Sequence, residues 1–170
     1  MSKHGQIMKS EIRQTPEIFS KIIANDQITP KLATLITDAS IKSILVLARG
    51  TSDNAAHFLK YLVETQLGLP CGLTSPSSVS IYNSKLYYEN TLVVAISQSG
   101  KSTDLVQFAK SSKESGAKLV CITNDSTSPL AQAADFHLSL QAGPEIAVAA
   151  TKSYSAQLLL SYLLVMKWAK

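Results

Sequence analysis

The sequence predicts an α/β domain of three layers, with a five-stranded parallel sheet of flavodoxin-like order 2-1-3-4-5 between two layers of helices. Two observations predict it. Short apolar, β-branched runs recur along the chain, each almost unbroken rather than alternating, which is the pattern of strands buried on both faces of a parallel sheet. Segments with helical spacing separate these runs, so strand follows helix throughout and right-handed crossovers join them. The size agrees: 170 residues, 45% apolar and 16% charged, suffice for one core of ordinary domain size and not for two.

Residues 1–28 read as an N-terminal arm, with 8–24 as its helical part, ahead of a single domain over 29–170. A helix over 30–40 precedes the first strand, whose core is Ile44, Leu45, Val46 and Leu47. The segment 53–67 places Ala56, Leu59, Leu62, Val63 and Leu67 on one stripe and stops at Gly68, as a helix does. A weaker strand at 71–73 and a short helix after Pro76 follow, then a strand over 91–96. The helix at 102–115 carries Leu105, Val106 and Ala109 and stops at Gly116; a strand at 118–123, a helix at 129–134 and a weak strand at 136–140 complete the alternation. The final segment, 148–170, is different. Leu158, Leu159, Leu160, Leu163, Leu164, Val165 and Trp168 cover far more than one stripe, so this helix must be buried on several sides, yet it is too interrupted by Ser161 and Lys167 for a membrane span.

Composition narrows the partners. The 16 Lys and Arg against 12 Asp and Glu give a net charge of +4, but the cations are scattered among acids, whereas a nucleic-acid surface gathers them on one face. The balance favours an anionic small ligand. Two cysteines, Cys71 and Cys121, read as structural thiols, and three scattered histidines give no metal-ligand spacing, so neither metal nor cofactor is expected. The polar first sixteen residues contain no apolar stretch of a signal peptide, which makes the cytoplasm the expected location.

In an open parallel sheet, ligands bind at the carboxyl ends of the strands where neighbouring connections diverge. After the first strand stand Arg49, Gly50, Thr51 and Ser52; after the third stand Ser97, Gln98, Ser99, Gly100, Lys101 and Ser102. In the predicted order these strands are adjacent, and the two polar loops converge. Glycine lets a ligand approach the backbone, and free N–H groups at a helix start favour an anion. Hydroxyls in place of a lysine-rich GxxxxGK[ST] loop suit a monophosphate held without metal. The competing reading makes Thr51, Ser52 and Ser102 simple helix caps.

These loops, with Ile122, Thr123 and Asn124 and with the run from Ala142 to Lys152 through Gly143, Pro144, Glu145 and Val148, resemble the sugar isomerase (SIS) domain family. The likeness covers essentially the whole chain. It is strongest to the first of the two SIS domains in the isomerase half of the glutamine:fructose-6-phosphate amidotransferase family and in SIS-type glucosamine-6-phosphate deaminases, and even Met8, Lys9, Ser10, Glu11, Ile12 and Pro16 look like the segment that opens that half. The chain departs from the family's commonest pattern at Lys101, Ser102 and Ala150.

The resemblance implies a hexose 6-phosphate or amino-sugar phosphate as ligand. Ser97, Gln98, Ser99 and Ser102 would hold the phosphate, and Thr51, Ser52 and the backbone near Val148 would face the sugar. In the family a glutamate base, aided by a histidine and a lysine, moves a proton between C1 and C2, and those residues belong largely to the second SIS domain and its tail. Here Glu145 is the candidate base, with support of its own loop as the competing role; His57 and His137 read as surface or packing residues. Residue 2 is Ser, not the nucleophilic cysteine of a glutaminase domain, so the chain fits the isomerase or deaminase members, which lack that domain, better than the amidotransferase itself. Whether such a chain is itself an enzyme stays open: the resemblance implies completion by a second SIS domain or a homodimer partner. The alternative is a non-catalytic phosphosugar sensor or regulatory SIS module, and a dimerisation module built on the last helix is a third reading.

Overall fold

The computed structural model describes residues 3–169, the side chains of residues 3 and 4 excepted, so Met1, Ser2 and Lys170 of the predicted arm and final helix lie outside the described residues. The elements run α1 (Lys3–Arg13), α2 (Thr15–Ala24), α3 (Pro30–Ala33), α4 (Leu35–Asp38), β1 (Ser43–Leu47), α5 (Thr51–Gln66), β2 (Cys71–Leu73), α6 (Ser77–Ser80), β3 (Thr91–Ile96), α7 (Thr103–Glu114), β4 (Lys118–Thr123), α8 (Pro129–Ala133), β5 (Phe136–Ser139) and α9 (Lys152–Trp168). The strands form one sheet in the order β2-β1-β3-β4-β5, every pair parallel, as the sequence predicts.

Why the runs are unbroken is visible in β3, the central strand, in which all six residues are buried. Leu92, Val94 and Ile96 join the core that includes Leu59 of α5 and Leu160 of α9, whereas Val93 and Ala95 join a second core with Phe108 of α7 and Leu130 of α8. A strand alternates its side chains between faces, and both faces here are dry. On the second face Tyr88 meets Phe108 edge to face, with ring centroids 6.0 Å apart. Cys71 and Cys121 are free and buried, and burial pushes their thiols up to about 11 and about 12, which leaves them inert.

The N-terminal region differs in detail from the sequence reading. The arm is two helices, because Pro16 at the start of α2 has no N–H to continue the ladder from α1. The helix expected over 30–40 is two single turns parted at Thr34, whose hydroxyl donates back to the Pro30 carbonyl at 3.2 Å, a bond that bends helices. The helix expected from residue 53 starts at Thr51, directly after the turn at Gly50.

Within the chain α9 is covered fully on one face and partly on its flanks, with Tyr162 exposed. Its face bearing Ala156, Gln157, Leu160, Ser161, Leu164 and Val165 is buried, and Leu158, Leu159 and Leu163 pack partly against the same core. Ile18 and Ile22 of α2 join that core, and Trp168 Nε1 donates to the Leu32 carbonyl at 2.9 Å, which fixes the end of α9 to α3.

Candidate phosphosugar site

The connections from β1 and β3 leave on opposite faces of the sheet, to α5 and to α7, so their loops open a crevice at the carboxyl ends of the two adjacent strands. Arg49 Nε, after β1, bonds Asp104 Oδ2, in the first turn of α7, at 2.9 Å and ties the two loops together. Behind them Asn124, the first residue after β4, holds three loops: its N–H donates to the Gln98 carbonyl, its Oδ1 accepts from Ala142 N–H at 2.9 Å, and its Nδ2 donates to the Gly143 carbonyl at 2.7 Å.

The β3–α7 loop turns through Gly100, which has φ +66° and sits so close to Ser128 that a Cβ there would lie 2.2 Å from its Oγ. This turn aims the serines. Ser97 Oγ accepts the Gly100 N–H at 3.1 Å and Ser99 Oγ accepts the Lys101 N–H at 3.3 Å. Across the crevice Ser52 Oγ, itself buried, accepts from Gln157 Nε2 of α9 at 2.9 Å. Each of these three oxygens is thus an acceptor toward the protein, which leaves its O–H proton to donate outward.

Thr51 and Ser52 lie inside α5, whose N-cap is Gly50, and Ser102 occupies the N-cap position of α7 without a side-chain cap bond; Asp104 Oδ1 accepts the Leu105 N–H. Among the described residues, the backbone N–H groups of Ser99, Ser102 and Thr103 donate to no protein acceptor. The free N–H groups stand at the start of α7, where the helix dipole favours an anion, and the serine hydroxyls retain protons to donate.

The remaining candidates are placed as follows. Thr51 is exposed on the first turn of α5, Gln98 is half-buried at the end of β3, and Val148 is fully exposed on the β5–α9 loop. Lys101 reaches Asp125 Oδ2 at 3.2 Å, so its charge is met within the chain. Glu145 is engaged by the start of α9: Oε1 accepts the N–H groups of Thr151 (2.8 Å) and Ser153 (3.3 Å), and Oε2 accepts the Ser153 hydroxyl. A carboxylate so filled supports its loop at a helix N-terminus. Lys152 turns away from it to the Gln14 Oε1 and the Pro144 carbonyl. His57 is exposed on α5, and His137 is bonded through Nε2 to Thr123 Oγ1 at 2.9 Å, with burial pushing its pKa down. Among the described residues no group of three His, Cys, Asp or Glu is placed to hold a metal, and no helix is long and apolar enough to cross a membrane.

Three contributors escape sequence reasoning. Asn124 appears there only as part of a turn, although its place at a strand's carboxyl end is the signal. Gln157 is one of several polar residues of α9, beside Ser153, Ser155 and Ser161, and nothing in the sequence sets it apart from them. Glu11, in the arm, has no sequence signal beyond its motif.

Comparison with known proteins agrees with this geometry. The SIS domain family model matches residues 38–167. The glutamine–fructose-6-phosphate aminotransferase (isomerizing) of Corynebacterium diphtheriae is 38% identical over 125 residues, 74% of this chain and 20% of that protein. The enzyme of the same name from Clostridium acetobutylicum is 33% identical over 98% of this chain, arm included, and 28% of that protein. The chain thus spans between a fifth and somewhat over a quarter of these curated relatives. A solved structure from Silicibacter pomeroyi DSS-3, assigned as a phosphosugar isomerase, superposes with a TM-score of 0.88 at 33% identity, over 96% of this chain and 50% of that one. The motifs at the ends of β1, β3 and β4, the sheet order and these matches agree, and the chain belongs to the SIS domain family.

Proposed function

We propose that the chain binds a hexose 6-phosphate or amino-sugar phosphate as the first SIS half of an aldose-ketose isomerase or glucosamine-6-phosphate deaminase. One observation supports the reading: Ser52, Ser97 and Ser99 all accept hydrogen bonds from the protein and so keep an O–H proton to donate, and the β3–α7 loop carries N–H groups with no acceptor among the described residues. The phosphate sits on Ser97, Gln98, Ser99 and Ser102, and the sugar faces Thr51, Ser52 and the backbone at Val148.

Catalysis needs groups from elsewhere, a second SIS domain or a dimer partner, because the Glu145 carboxylate is filled by the start of α9 and His137 is bonded to Thr123. The same occupancy favours a second reading, a phosphosugar sensor that performs no chemistry, working in the cytoplasm. Calorimetric titration with glucosamine 6-phosphate and fructose 6-phosphate, beside the unphosphorylated sugars, tests the shared core of both. Binding of the phosphorylated pair alone is expected, and equal response to both pairs refutes it. An assay for ketose formation or ammonia release, with the physiological partner present, then separates enzyme from sensor.

A further inference from the structure

The arm grips the loop that joins β5 to α9. Glu11 in α1 is only 4% exposed, and its carboxylate accepts the backbone N–H groups of Ile146 at 2.5 Å and Ala147 at 3.1 Å. One helical turn later, Gln14 Oε1 accepts from the Lys152 ammonium at 2.8 Å, and that ammonium also reaches the Pro144 carbonyl. Between arm and loop lies a cavity of about 550 Å³, lined by Glu11, Gln14, Gly143, Ile146 and Lys152. Continuous packing therefore does not set the distance between them; the polar links do.

Two successive N–H groups aimed at one carboxylate fix the two peptide planes that lead into Val148. The Val148 side chain is 99% exposed and packs on nothing, so the held peptides just before it are what restrain its backbone. We propose that Glu11 is a positioning residue for the sugar side of the site: through Ile146 and Ala147 it sets the backbone at Val148 that meets the ligand. This rests on the phosphosugar reading above. Among the described residues, the loop after β3 that carries the proposed phosphate side has no hydrogen bond to the arm.

Glu11→Gln and Glu11→Ala in the full chain test this against the wild type. In Glu11→Gln the Kd for glucosamine 6-phosphate rises by about tenfold while that for inorganic phosphate stays within about twofold, and Ala follows the same pattern. Amide exchange of Ile146 and Ala147, read by NMR without ligand, accelerates by roughly an order of magnitude. Equal weakening toward both ligands with a lowered melting temperature overturns the proposal in favour of general support of the fold. Unchanged exchange and unchanged affinity overturn it outright. A wild-type chain that binds neither ligand defeats the phosphosugar reading itself, and accelerated exchange in Glu11→Gln still shows the link between arm and loop.

Discussion

Gly100 is where the site's geometry is most exposed to a single methyl group. At φ +66° an L-residue costs about 1–2 kcal/mol, because its Cβ crowds the following carbonyl. The added Cβ also lies 2.2 Å from Ser128 Oγ, 2.7 Å from Ser128 Cβ and 3.2 Å from Thr123 Cγ2. Ser128 is fully buried and its Oγ accepts the Ala131 N–H as the N-cap of α8, so it yields only by giving up that cap, about 1 kcal/mol. Residual overpacking adds about 1–3 kcal/mol. Gly100→Ala is thus expected to cost about 3–6 kcal/mol. Gly50→Ala is the comparison: φ is +60° but nothing lies within 4 Å of the new Cβ, so the backbone term acts alone, at about 1–3 kcal/mol. Urea unfolding measures both, provided the slopes match. A Gly100→Ala chain within about 1 kcal/mol of wild type, or no less stable than Gly50→Ala, refutes the clash and with it the close seating of the β3–α7 loop on Ser128.

Three other outcomes follow from named contacts. Ser99→Ala removes a half-buried hydroxyl whose only bond among the described residues is to the Lys101 N–H, so stability moves by under about 0.5 kcal/mol. Its loss from a phosphate is worth about 1.5–3 kcal/mol, and calorimetry should show roughly tenfold or greater weakening toward the phosphorylated sugar. The Asp125 carboxyl is held at about 2, below the usual 3.8, by the Thr127 hydroxyl first, then the Thr127 N–H and Lys101. A carboxyl depressed in the folded state stabilises it above pH 3.8 and loses that contribution as pH falls through about 2, so the urea midpoint of Asp125→Asn should fall less steeply across this window than that of wild type. Equal slopes exclude Asp125 from acid sensitivity. Ser161→Ala removes from α9 a fully buried hydroxyl that has no partner among the described residues, and it should raise stability by about 1–2 kcal/mol in thermal unfolding. A lower melting temperature shows that the hydroxyl is bonded after all.

The sheet was legible because β3 and β4 are dry on both faces, a condition that only unbroken apolar runs satisfy. The crevice was legible for a related reason: Ser97, Ser99 and Ser102 follow a strand directly and stand where the rule for open parallel sheets places ligands. What sequence could not show was the direction of each hydrogen bond. Ser52 reads equally well as cap or ligand group until Gln157, 105 positions away, is seen to donate to it. Glu145 stays a candidate base until Thr151 and Ser153 are seen to fill its carboxylate. The break at Thr34 was hidden because a side-chain bond to the Pro30 carbonyl, and no breaker residue, divides the helix.

The tie between Glu11 and Ile146 spans 135 positions, and its consequence concerns synthesis. The arm is translated before any strand, but its apolar residues Ile18 and Ile22 find their cover in α9, the last helix of the structure. A segment made before the sheet therefore finds its cover only in a helix made after it. Contacts so distant in sequence slow folding, since a long loop must close before any of them forms. The link from Glu11 to the β5–α9 loop thus depends on both α2 and α9 being in place, two helices on either side of the whole sheet in chain order.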